Sequence, residues 1–99
     1  MEPALLTVLA DPDLEERIVD WLLARDDVPG FTTFPAWGHG TAQARLSLAE
    51  QVAGRRARVA FQLVLPLDTA RALVAALAAD FSGAQLYHWL QPVLASGSL

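Results

Sequence analysis

The 99-residue chain contains no cysteine and no lysine. Without cysteine, disulfides and thiolate metal sites are excluded. Without lysine, every fixed positive side chain is an arginine. The seven arginines are outnumbered by eleven acids, leaving a formal charge of −4. Nucleic-acid binding draws most of its affinity from phosphate neutralisation, so no nucleic-acid partner is expected. No apolar run approaches the roughly 18 residues of a membrane span, which argues against direct membrane insertion. The opening MEPALLTVLADPDLEE has no basic leader and turns acidic too soon for a signal peptide. A soluble, cytoplasmic protein is the expectation. Walker and dinucleotide fingerprints are missing, and no serine, histidine and acid are spaced as a triad. With no acid–base or nucleophile constellation, an enzyme is not expected.

What is present is largely apolar. Hydrophobic residues make up 54% of the chain, and mean hydropathy is +0.32. The length suits a single domain over residues 1–99. A chain this short buries only roughly 60–70% of its unfolded surface. It carries more apolar surface than it can hide alone, so an oligomer is expected. Charge is also unevenly placed. Eight of the eleven acids fall within residues 1–27, and four of the seven arginines (Arg45, Arg55, Arg56 and Arg58) within 45–58. That clustering leaves room for a local anion site built from arginine alone.

Periodicity gives the elements. Residues 4–9, ALLTVL, read as a short apolar strand between Pro3 and Asp11-Pro12. Asp11 is placed to cap a helix with Pro12 at its first position. Leu14, Ile18, Trp21 and Leu22 form its apolar stripe, and Glu15, Glu16 and Asp20 its solvated face. Asp26 to Gly30 breaks it. Gly30 to Trp37 reads as a second strand, on an edge or bent at Pro35. Residues 58–65, RVAFQLVL, alternate cleanly as a third. Asp68 is placed to cap a second helix whose buried side is Leu73, Val74, Leu77 and Phe81, stopped by Gly83. Residues 84–90 form a fourth strand with Leu86, His88 and Leu90 opposite Tyr87 and Trp89. The order βαββαβ is the α+β ferredoxin-like pattern: one antiparallel sheet with two helices on one face. The strands carry apolar residues on both sides, so the second sheet face should meet another subunit.

Between the second and third strands lies WGHGTAQARLSLAEQVAGRR, residues 37–56. Ser47-Leu48-Ala49-Glu50 fits a capping box, with Gln51 and Val52 continuing one helical turn and Gly54 able to end it. That turn either orders the loop locally or presents backbone N–H groups to an anion. Gly38-His39-Gly40 permits a sharp turn or a close backbone approach to a ligand. His39 is either an exposed turn residue or a metal ligand. A tight metal site takes about three or four ligands, which neighbouring chains or carboxylates such as Glu50 could supply. His88 is a core or interface histidine, or a second ligand. Arg55, Arg56 and Arg58 are either a solvated cluster or a grip for a phosphate or carboxylate. Trp21, Trp37 and Trp89 read as core or interface anchors.

The runs GFTTFPAWGHG, LSLAEQVAGRRARVAFQ and YHWLQPVLASG together resemble an uncharacterised bacterial PII-like family, over nearly the whole chain. The genes of that family are similar in setting to those of heavy-metal RND efflux systems. Its superfamily includes the PII nitrogen regulators and the divalent-cation tolerance proteins. The resemblance implies a homotrimer with ligands in the clefts between subunits, and a T-loop-like segment over residues 38–57 that senses ligands and contacts partners. It implies a non-enzymatic signalling role tied to heavy-metal efflux, with a membrane efflux transporter component as partner. The candidate ligand-binding set is Trp37, Gly38, His39, Gly40, Glu50, Gln51, Gly54, Arg55, Arg56 and Arg58. A divalent transition metal is a candidate cofactor, with His39 and His88 as its ligands. Two further readings stand beside the signalling role: a metal-binding protein using His39, and a sensor of a small anion or nucleotide-like ligand using the arginines near the loop exit. One departure bears on nucleotides. Where nucleotide-binding PII proteins carry a glycine-rich loop with a lysine, this chain reads Phe81-Ser82-Gly83-Ala84-Gln85. Its tail, residues 93–99, has no basic residue either. The sole tyrosine, Tyr87, lies outside the loop, so the uridylylation site has no counterpart.

Overall fold

The computed structural model describes residues 2–40 and 55–99. Its elements are β1 (Pro3–Ala10), a 3-10 turn (Pro12–Leu14), α1 (Glu15–Leu23), β2 (Thr32–Gly38), β3 (Arg56–Pro66), α2 (Leu67–Asp80) and β4 (Tyr87–Pro92). The four strands form one sheet in the order β2-β3-β1-β4, with every pairing antiparallel. This is the expected ferredoxin-like arrangement. β2 lies on an edge, where Pro35 needs no ladder partner on its open side.

Register explains which residues are buried. β1 pairs with β3 as Leu6↔Leu63, Val8↔Phe61 and Ala10↔Val59. Opposed residues share a face, so these six point together toward the helices. They meet Ile18 and Leu22 of α1 and Ala70, Leu73 and Leu77 of α2 in one buried cluster, closed by Phe81. Phe61 and Leu6 are fully buried at its centre. Val74, expected on the buried side of α2, is half-buried, and Ala70 takes the inner position.

The opposite sheet face is less apolar than the alternation implies. Thr7 lies buried on β1 between Leu5 and Leu9, and accepts a hydrogen bond from Gln62 Nε2 at 3.3 Å. Around this polar centre, Phe34, Val64, Tyr87 and Trp89 stand exposed.

Two helix caps differ from expectation. Asp68 does not cap α2. The N-cap is Pro66, because β3 runs straight into the helix and Leu67 N–H is taken by Glu2 O at 2.9 Å. Asp68 lies in the first turn, where its charge suits the helix dipole. Asp11 does occupy the N-cap position of the 3-10 turn, and its main-chain oxygen accepts from Leu14 N–H at 2.9 Å, but its carboxylate makes no cap bond. β4 begins at Tyr87, later than residue 84, because Gly83 (φ 81°) and Gln85 (φ 59°) turn the chain first.

Candidate functional site

One end of the sheet gathers the start of α1, the turn after α2 and both ends of the segment joining β2 to β3. The register dictates this. One step past Ala10↔Val59 puts Asp11 level with Arg58, and one more residue pair along β3 brings Arg56 to the same face. There, Arg56 Nη2 donates to Asp11 Oδ1 at 2.6 Å. Arg58 Nη1 lies 3.7 Å from the same oxygen. Arg58 Nη2 donates to Leu9 O at 2.9 Å and reaches Gln85 O at 3.5 Å. Burial divides the three groups. The side chains of Arg58 and Arg56 are only 7% and 17% exposed, while the Asp11 side chain is 41% exposed.

Arg55 turns elsewhere. Its guanidinium stacks 3.7 Å from the ring centroid of Trp37, a cation–π contact that joins the end of β2 to the residue before β3. Trp37 itself is half-exposed. Behind it, Pro12, Glu15, Pro35 and Val59 line a shallow groove. Arg55 and Arg56 therefore clasp the two ends of the connecting segment to Trp37 and to Asp11. Within the chain, the adjacent arginines hold different groups rather than forming a single fork.

Gly38 pairs with Arg56 at the end of β2. An added Cβ there would meet Arg56 O and Arg58 Cγ at 3.8 Å, an ordinary contact. Neither Gly38 nor Gly40 has a positive φ. His39 is exposed just beyond β2. His88 pairs with Val8 on the other edge strand, β4, beside an apolar cleft lined by Val74, Leu77, Phe81 and Leu86. Three strand spacings of about 4.8 Å separate the two edges, so His39 and His88 of one chain do not converge. Among the described residues no group of three or more His, Asp or Glu could hold a metal ion. The described residues of a single chain therefore do not fit a metal centre. Glu50, Gln51 and Gly54, and the capping box at Ser47, lie outside the described residues.

Sequence reasoning took Asp11 for a helix cap and so missed its pairing. The available signal was the β1–β3 register, which the alternation of Leu6, Val8, Phe61 and Leu63 already implies. A second cluster was also missed. Trp21 Nε1 donates to Asp80 Oδ2 at 2.8 Å, and its ring meets Phe81 edge-on at 5.9 Å. Arg25 covers Trp21 and Arg17 covers Phe81. Beside this cluster, Asp11, Arg17, Ser82 and Gln85 border a polar cleft of about 440 Å³.

The family model described as a protein of unknown function, DUF3240, matches residues 1–99. The chain belongs to the DUF3240 family. Among solved structures it is similar to a DUF3240 family protein from Shewanella baltica OS155, at 24% identity and TM-score 0.80, covering 100% of this chain and 98% of that one. It is similar to a nitrogen regulatory PII-like protein from Thiomonas intermedia K12, whose structure holds ADP, AMP and bicarbonate (16% identity, TM-score 0.71, coverage 100% and 98%). A third is a putative PII-like signalling protein from Thermus thermophilus (20% identity, TM-score 0.65, coverage 94% and 90%). These likenesses establish a PII-like fold. No curated protein matches the chain. Among the described residues no helix is long and apolar enough to cross a membrane.

Proposed function

We propose that this protein is a non-enzymatic PII-like signalling protein that works as a homotrimer. In this reading its 38–57 segment serves as the T-loop, linking ligand occupancy near the loop base to a partner in heavy-metal efflux, such as a membrane transporter component. The observation that carries the reading is the sheet's open face. Phe34, Val64, Tyr87 and Trp89 are exposed there on the side away from both helices, in a fold shared with PII-like proteins. Packing that face against further copies would bury it and bring the loop bases of neighbouring subunits close together. The clasp of Arg55 on Trp37 and Arg56 on Asp11 supports the loop assignment, because the first holds the segment's two ends together and the second ties its exit to the turn before α1.

The anion-sensing reading is favoured by one observation, the convergence of Arg56 and Arg58 on a single carboxylate oxygen. A metal site at His39 would draw its other ligands from neighbouring subunits or from residues 41–54. A thermal-shift screen separates these readings, using nucleotides, phosphate, carboxylates and divalent transition metals on wild type and His39→Ala. The signalling reading expects stabilisation by a nucleotide, phosphate or carboxylate. Stabilisation by a metal alone, lost in His39→Ala, would replace it with the metal-binding reading. No shift with any ligand would count against a sensor.

A further inference from the structure

We propose that Arg56 and Arg58 form a binding site for a phosphate group, and that the Asp11 carboxylate occupies this site as an internal stand-in until a ligand displaces it. The proposal deepens the signalling reading and rests on it only for its consequence at the loop. Three features lead to it. First, the fixed and movable parts of the ion pair are distinguishable. Both guanidiniums are largely buried and Arg58 is anchored on two main-chain oxygens, while the Asp11 side chain is 41% exposed. The cations form the site and the acid visits it. Second, Asp11 meets both guanidiniums through one oxygen. A guanidinium fork is best matched by two oxygens, yet Arg56 and Arg58 both address Oδ1, at 2.6 Å and 3.7 Å. A tethered monocarboxylate outcompetes a free one through its high effective concentration. A phosphate has three free oxygens and close to two charges, and can engage both forks at once. Third, there is room for the body of a ligand. Asp11 and Gln85 both border the polar 440 Å³ cleft that Arg17 and Ser82 also line, and Arg58 already reaches Gln85 O. Asp13 and Asp80 border it as well. They disfavour added negative charge there, so the cleft suits a polar, uncharged body. The ligand class is thus a monophosphate ester in preference to a triphosphate.

The consequence is mechanical. Asp11 starts the turn into α1, and Arg56 is the first residue of β3 after the loop. Displacing Asp11 releases the loop exit from the α1 start and transfers Arg56 to the ligand.

Calorimetric titration with inorganic phosphate, a ribose monophosphate and a nucleoside triphosphate tests this on wild type, Asp11→Asn and Asp11→Asn/Arg56→Gln. Removing the competing carboxylate should tighten phosphate binding by up to roughly fivefold, the worth of one partly exposed ion pair. The double variant should lose that gain. A stronger response to the monophosphate than to inorganic phosphate would place the ligand body in the cleft; preference for the triphosphate would overturn the ligand class. Equal phosphate affinity in wild type and Asp11→Asn, or none in either, would overturn the site. Should Asp11→Asn fail to fold, the wild-type Asp11 carboxyl carbon can be followed by NMR. It should shift on phosphate addition and not on addition of chloride at equal ionic strength, and equal shifts would sink the proposal. Light scattering on the same samples reports the oligomeric state, so loss of the trimer and loss of the anion site are read separately.

Discussion

At the scale of single residues, a few polar side chains reinforce the apolar core by joining elements that lie far apart in sequence. Trp21 is the clearest case. It donates to Asp80, packs edge-on against Phe81 and lies under Arg25. Trp21→Phe should cost about 1 kcal/mol through the lost hydrogen bond. Trp21→Ala should cost about 3 kcal/mol through lost packing as well. Chemical denaturation of the two variants checks the order. The Arg25–Asp27 pair makes a pH prediction. Its two hydrogen bonds, at 3.0 and 3.1 Å, hold the Asp27 carboxyl below its usual value of 3.8. A lowered carboxyl contributes stability above its unfolded value and loses it as pH falls through the folded one. Wild type should therefore exceed Asp27→Asn by less than about 1 kcal/mol near neutrality, since the pair is solvent-screened. The gap should close as pH drops below 3.8. A gap that persists in acid would show that the ion pair is not its source. The partner of Trp21 on α2 was not legible in the sequence. Trp21 could be placed on the buried side of α1 from spacing, but Asp80 is 59 residues away and only the finished packing of α1 beside the end of α2 brings it near.

At the scale of elements, most of the structure follows from alternation and spacing. The order βαββαβ and most of the buried stripes of both helices could be read from where Leu, Val, Ile and Phe recur, while Pro35 marked β2 as an edge strand or a bent one. Strand ends were harder to read. Apolar content continues through Ala84 and Leu86, but the positive φ of Gly83 and Gln85 is a local backbone fact that hydrophobic periodicity does not register. These two residues give a test of the turn. Gly83→Ala should cost about 1 kcal/mol, because an L side chain is strained at φ 81°. Gln85→Gly should be neutral or slightly stabilising for the converse reason. Thermal unfolding of both variants decides the matter. Opposite signs would mean that the turn is not left-handed in solution. Gly38→Ala, by contrast, should be tolerated, since its new methyl meets only ordinary contacts at 3.8 Å. The loop-base glycine that drew attention in the sequence is thus less constrained than the one after α2.

At the scale of the whole molecule, an apolar composition and a two-sided sheet point to an assembly from the sequence alone. The fold adds where the contact would lie: the face bearing Phe34, Val64, Tyr87 and Trp89, around the buried Thr7–Gln62 pair. The candidate site was legible only in outline. The arginines and Trp37 were picked out, but their division between a cation–π clasp and a carboxylate was not, because that depends on how far β1 extends opposite β3. The most direct test of the central claim is the solution mass of wild type and Val64→Asp, by size-exclusion with light scattering at micromolar concentration. A PII-like assembly through the open face predicts a wild-type mass three times that of the 10.7 kDa chain. It also predicts a folded monomer for Val64→Asp, because a buried unpaired carboxylate at the interface is costly. A wild-type monomer, or a trimer untouched by Val64→Asp, would contradict it.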